Sequence, residues 1–154
     1  MRNHSMQTVG IVAGLAIVVA IGVWWPTAGA AAAKDSPDFV LNVTSGQEDL
    51  HAVTMALQLA GHALHAERDV TVFLNVRAPA LAHKNLSDKV AFHGNPPIQK
   101  MLTNVMSRGA RIIVCPACAT VMGVAEGDLL PGVQLASREL LFGQLGPDAV
   151  VFSY

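Results

Sequence analysis

The chain has 154 residues, of which 52% are hydrophobic and only 14% charged, with a formal net charge of −1. An ordinary soluble domain has roughly 45–50% apolar and about 25% charged residues, so the bulk composition leans toward a membrane protein. The near-neutral charge excludes an electrostatic nucleic-acid binder, and aliphatic residues in every segment exclude intrinsic disorder.

The apolar excess is concentrated at the amino-terminal end, where Arg2 is the one charged residue before Lys34. Arg2 and the amino terminus make a short positive region, Val9 to Trp25 is an uncharged apolar run, and Pro26 leads into small residues. Ala28-Gly29-Ala30, Ala30-Ala31-Ala32 and Ala31-Ala32-Ala33 each fit the small-x-small pattern of a signal-peptidase site. This is the three-part plan of an export signal. The apolar run also reaches the lower limit for crossing a bilayer, about 17 residues. Residues 1–33 are therefore read as a signal peptide or a retained N-terminal anchor, with membrane contact only through this segment. Either reading places the globular part in the periplasm or otherwise outside the cytoplasm. Both tryptophans, Trp24 and Trp25, belong to this leader.

Residues 34–37 read as a polar linker and residues 38–154 as one domain, long enough for a single core and too short for two. Phe39-Val40-Leu41-Asn42-Val43 is a short apolar run stopped by Thr44-Ser45-Gly46, the form of a buried strand. Gln47 to Glu67 takes helical spacing, with Val53, Ala56, Leu57, Ala60 and Leu64 on one face and Glu48 and Asp49 in the first turn. Val70 to Val76 is a second strand. Arg77 to Pro97 is a long connection of low periodicity, rich in His, Asn and Lys, and a loop of that length is more often functional than filler. Pro96-Pro97 opens a helix over Ile98 to Arg108, closed by Gly109. Arg111 to Val114 is a third strand running into Cys115-Pro116-Ala117-Cys118 and a helical piece to Met122. Leu129 to Val133 gives a turn and a short extended piece, Ser137 caps a helix over Arg138 to Leu145, and Ala149 to Phe152 is a closing strand. Strands alternating with helices predict an α/β fold: an open parallel sheet of about four to five strands with helices on both faces, in flavodoxin-like layering. Ligands in such folds gather beyond the carboxyl ends of the strands, which places Ser45, Gly46, Asn75, Arg77 and the cysteine pair around one crevice as catalytic or substrate-binding residues.

The only cysteines are Cys115 and Cys118. Pro116 suits the first helical position, so Cys115 is expected at the helix cap, where unpaired N–H groups favour a thiolate. Such a sulfur can attack another sulfur, accept sulfane sulfur as a persulfide or bind a soft metal, and Cys118 stands one turn on as a resolving thiol. The bland alternative is a structural disulfide, although closing so small a loop constrains the unfolded chain little. A four-ligand zinc site lacks its second ligand pair. No cofactor is required by these residues. If a metal binds, Cu(I) on Cys115 and Cys118 with Met122 approaching is the fitting set.

His51 follows the first strand-end loop and is the candidate proton donor or acceptor for a cysteine. His83 and His93 in the long connection are alternatives. His51, Met55, His62 and His65 share the polar side of the first helix, but His51 and His62 are roughly 16 Å apart along it, too far for one ion. His62 with His65 fits a weak surface metal site or a solvated face. Met101, Met106 and Met122 fit core filler at least as well as ligands.

Taken together, Val43-Thr44-Ser45-Gly46 with His51 following, Val53 to Leu57, Val72 to Val76, Val114 to Cys118 and Asp128 to Val133 make the chain resemble the DsrE/DsrF-like family of small sulfur-relay proteins. The resemblance covers about residues 38 to 154. It implies an α/β fold, self-association into trimers or hexamers, and a strand-end cysteine, here Cys115, that carries sulfur. The CPxC pair and the export signal depart from the cytoplasmic, single-cysteine members. Three readings follow: an exported sulfur carrier or sulfurtransferase-like protein, a thiol–disulfide redox protein, and a Cu(I)-binding module. Expected partners are small sulfur compounds or a partner thiol protein, and no nucleic acid.

Overall fold

Two features of the sequence set the architecture: mostly apolar runs without polar alternation, which suit strands covered on both faces, and segments between them too long for hairpins. The computed structural model describes residues 38–143 and 145–154, so the leader and linker lie outside the described residues. Strands β1 (Phe39–Val43), β2 (Val70–Leu74), β3 (Arg111–Val114), β4 (Gln134–Leu135) and β5 (Val150–Ser153) form one sheet in the order β4-β3-β2-β1-β5. Every pairing is parallel. The chain belongs to the α/β class, an open five-stranded parallel sheet with helices packed around it.

The register sorts side chains into two faces. Leu41, Val72 and Ile112 are cross-strand neighbours, as are Val43, Leu74 and Val114, and all six are buried in the main core. Fully burying such a side chain contributes about 1.5–3 kcal/mol, so these two rows anchor the fold. The helices on this face are α1 (Leu50–His65) and α2 (Ile98–Ser107), which pack on each other and on the sheet. α1 presents Val53, Ala56, Leu57, Ala60 and Ala63, and its alanines let the helix lie close to the strands. α2 presents Ile98, Leu102 and Val105. The connections from β1 through β4 all step the same way across the sheet, so right-handed crossovers keep their helices on one face. The return from β4 to β5 runs the other way and carries α4 (Arg138–Phe142) across the opposite face. On that second face Val40, Thr71 and Ile113 are buried and Arg111 Nη2 donates to Thr71 Oγ1 at 3.0 Å.

Several boundaries differ from the sequence expectation. α1 begins at Leu50 because Asp49 is its cap, accepting the Ala52 N–H at 2.9 Å, while Gln47–Asp49 forms a single 3-10 turn. A side chain that bonds the backbone so close by competes with helix at its own position. The long connection is not featureless: Ala78–Ala82 is a 3-10 helix with Ala78, Pro79, Leu81 and Ala82 buried, a three-residue period that an α-helical or strand template does not register. The extended piece expected at Leu129–Val133 lies at Gln134–Leu135, after the turn at Gly132 (φ 92°). α4 stops at Phe142, three residues before the expected end at Leu145, where the Gly143 N–H closes on the Glu139 carbonyl at 2.9 Å.

Candidate functional site

Parallel strands end side by side, so the loops leaving β1, β2 and β3 converge. Asn75 N–H donates to the Val43 carbonyl at 2.8 Å, and Arg77 N–H to the Thr44 carbonyl at 3.1 Å. Thr44 donates both its N–H and its hydroxyl to the Tyr154 carbonyl, each at 2.7 Å. Cys115 N–H donates to the Leu74 carbonyl at 3.0 Å, which brings the third loop onto the same line. Backbone groups that would be orphaned at the strand ends thus bond one another.

The turn after β2 aims a polar group at the cysteines. Val76 has φ 53°, in the left-handed region where a β-branched residue is rare. It is held there by Asn75 Oδ1, which accepts the Val76 N–H at 2.8 Å, and by the Arg77–Thr44 bond. The same Asn75 oxygen accepts the Cys118 thiol at 3.1 Å.

Beside it, Gly46 closes the β1 loop against the β2 loop. A Cβ at Gly46 would stand 2.9 Å from the Arg77 carbonyl oxygen, so only glycine permits this approach without the backbone moving. Gly46 N–H donates to Glu48 Oε1 at 2.8 Å, and the same carboxylate oxygen accepts a short bond from Arg77 Nε. The Glu48 carboxyl is held below its ordinary value, first by the Gly46 N–H and to a lesser extent by Arg77. Sequence reasoning placed Ser45, Gly46, Asn75 and Arg77 here but missed the roles of Glu48 and Val76. An acid two residues after the loop glycine is the signal that could have pointed to Glu48. Nothing in the sequence pointed to the conformation of Val76.

Cys115 caps α3 (Pro116–Val121), with Pro116 in the first turn as expected. The helix has only six residues, and the Cys115 side chain makes no capping bond with its N–H groups, contrary to the expected thiolate cradle. The Cys118 thiol is pushed above its ordinary value, first by its side-chain interaction with Cys115 and then by burial, with the Val76 N–H acting the other way. Both cysteines are free and half-buried. The arrangement suits a pair in which Cys118 keeps its proton while Cys115 reacts.

His51 is exposed in the first turn of α1, and its ring stacks on Phe92 of the long connection, centroids 4.6 Å apart. Its ring contact is thus with that loop. His93 lies edge-on to the same Phe92, and His83 Nδ1 accepts the Asn85 N–H at 3.1 Å. Met122 is exposed just after α3, whereas Met101 and Met106 pack against the core. Among the described residues no three His, Cys, Asp or Glu side chains come together as a metal-binding set. Two thiolates alone suit a soft, low-coordinate ion.

The model of the DsrE/DsrF-like family matches residues 38–145. The uncharacterized protein MJ0760 of Methanocaldococcus jannaschii is 28% identical over 116 residues, covering 75% of this chain and 42% of that protein, so the chain spans less than half the length of this curated relative. Among solved structures, the ychN protein from E. coli superposes with a TM-score of 0.64 at 21% identity, over 77% of this chain and 99% of that one. The protein of unknown function MTH1491 from Methanobacterium thermoautotrophicum superposes with a TM-score of 0.57 at 14% identity, over 77% and 100% of the two chains. At these identities the two structures bear on the fold alone.

Proposed function

The chain belongs to the DsrE/DsrF-like family, and from that premise we propose that it is an exported sulfur-handling protein in which Cys115 carries sulfane sulfur as a persulfide and Cys118 is the resolving thiol. The observation that carries this reading is the asymmetry of the pair. Cys118 donates its thiol proton to Asn75 Oδ1 at 3.1 Å and is pushed above its ordinary value, leaving Cys115 as the nucleophile. The Cys115 thiolate attacks the outer sulfur of a donor persulfide, R–S–SH. The new bond joins Cys115 to that sulfur, the donor S–S bond breaks and R–S⁻ departs. A partner thiolate can take the sulfur onward with no net redox change. Alternatively Cys118 attacks Cys115, giving the Cys115–Cys118 disulfide and hydrogen sulfide, and a partner dithiol then restores both thiols with two electrons and two protons. Small sulfur compounds and thiol proteins outside the cytoplasm are the partners this chemistry needs, and the carrier works as a homo-oligomer, trimer or hexamer.

The test is the mass of the reduced protein after incubation with polysulfide. Addition of sulfur mass at Cys115 is expected, with none in Cys115→Ser and retention of the adduct in Cys118→Ser. No adduct on the reduced wild type overturns the reading. Two free cysteines one helical turn apart at the start of α3 favour a second reading, thiol–disulfide exchange. That one is abandoned if the pair has a potential below about −300 mV, the range of inert structural bonds.

A further inference from the structure

A groove of about 680 Å3 lies between the C-terminal half of α1 and α2, lined by residues other than those of the strand-end site. This is within the range of small-molecule pockets, about 300–1,000 Å3. Its floor is apolar, made by the buried side chains of Leu57 and Val105 and by Met101, which packs on the same core. Its rim carries the cations Lys100 and Arg108 with two histidines, His62 and His65, and no Asp or Glu lines it. In a chain of net charge −1, a recess bordered by two cations and no acid is not an average sample of the surface.

Arg108 is held in place rather than swinging free. Its Nη2 donates to the Gly61 carbonyl at 2.9 Å, and a Cβ at Gly61 would stand 3.3 Å from Nη1. A glycine inside a helix costs about 0.5–1 kcal/mol against alanine, and here its bare face is what lets the guanidinium lie across α1. At the other side, Gln58 Nε2 donates to Asn95 Oδ1 at 2.9 Å and fastens the segment before α2 to α1. The two ends of α2 are therefore both tied to α1. The guanidinium keeps unused donors, since one of its five N–H groups is spent on Gly61.

We propose that this groove binds a small organic anion, with an aliphatic or aromatic body on Leu57, Met101 and Val105 and a carboxylate, sulfonate or phosphate head at Arg108 beside His62 and His65. Lys100, eight residues before Arg108 and so roughly 12 Å along α2, adds positive field at the far end. A neutral ligand would leave the cations without a counter-charge, and a bare inorganic anion would leave the apolar floor unused. The site does not rest on the sulfur reading.

The experiment is equilibrium dialysis of the full chain, in neutral detergent with detergent alone as blank, against naphthalene-2-sulfonate. One saturable site is expected. Arg108→Gln should weaken it tenfold or more and Lys100→Glu severalfold, while Cys115→Ser should leave it unchanged. The absence of saturable binding overturns the proposal, as does equal binding of 2-naphthalenemethanol. If Arg108→Gln fails to fold through loss of its bond to Gly61, Lys100→Glu decides the matter: its side chain is exposed and outside the hydrogen-bond network, and unchanged affinity there also overturns the proposal.

Discussion

At the strand ends, backbone groups and short side chains position two sulfur atoms, and the distances are set by three parallel strands stopping together. In the α1–α2 groove, long cationic side chains border an apolar floor, and the distances are set by how two helices cross. The first region tolerates little displacement, because Gly46, Asn75 and Arg77 belong to loops that touch one another's main chain. The second has open volume and flexible rims, apart from the tethered Arg108. The contrast teaches that the backbone fixes geometry where parallel strands end together, whereas crossing helices leave open volume between their side chains.

Variants of one region should leave the other untouched, and they rank by size. Gly46→Ala is the severest, because its methyl group would collide with the Arg77 carbonyl. Overpacking of this kind costs about 1–3 kcal/mol, so thermal melts should fall and sulfur loading of Cys115 should slow, with naphthalenesulfonate binding unchanged. A wild-type melt for Gly46→Ala would show that the two loops are not in fact locked together. Val76→Asn acts in the opposite direction. Asparagine adopts the left-handed conformation more readily and Val76 is 49% exposed, so a gain of about 0.5–1 kcal/mol in chemical denaturation is expected. A loss would mean that the valine side chain contributes more through packing than its backbone loses through strain.

The smallest effect concerns Glu48. Its carboxyl is lowered in the folded state, so its contribution is present above the ordinary glutamate value and is lost as the pH falls through the lowered folded value. The side chain is 43% exposed, and solvent screening limits the contribution to about 0.5 kcal/mol. The melting temperatures of wild type and Glu48→Gln should therefore differ slightly at pH 7 and converge in strong acid. A gap that widens in acid would contradict the assigned direction.

Much of this molecule was legible from the chain. The apolar runs at Phe39–Val43, Val70–Val76 and Arg111–Val114 predicted strands, the second of which ends two residues earlier at Leu74, because a parallel strand covered on both faces needs no polar alternation. The strand-end rule collected Ser45, Gly46, Asn75, Arg77 and both cysteines in one neighbourhood before any coordinate was known. Local pattern failed where partners lie far apart in sequence. The stacking of the His51 ring on Phe92, forty-one residues away, is a contact that no periodicity reports. Likewise His62 and His65 read as a solvated helix face, and only α2 makes them the rim of a groove.

By itself, the sequence determined the class of fold, the order of its elements and the placing of its two cysteines at the end of the third strand. These follow from hydrophobic periodicity and residue chemistry, both of which are local. The tertiary structure decided which polar group the Cys118 thiol meets, which acid stabilises the loop beside it and where a groove bordered by Lys100 and Arg108 opens. Those properties depend on hydrogen bonds and burial between segments separated by tens of residues: Asn75 with Cys118, Glu48 with Arg77, Gly61 with Arg108. A linear pattern carries the donors and acceptors, and packing alone chooses the pairs.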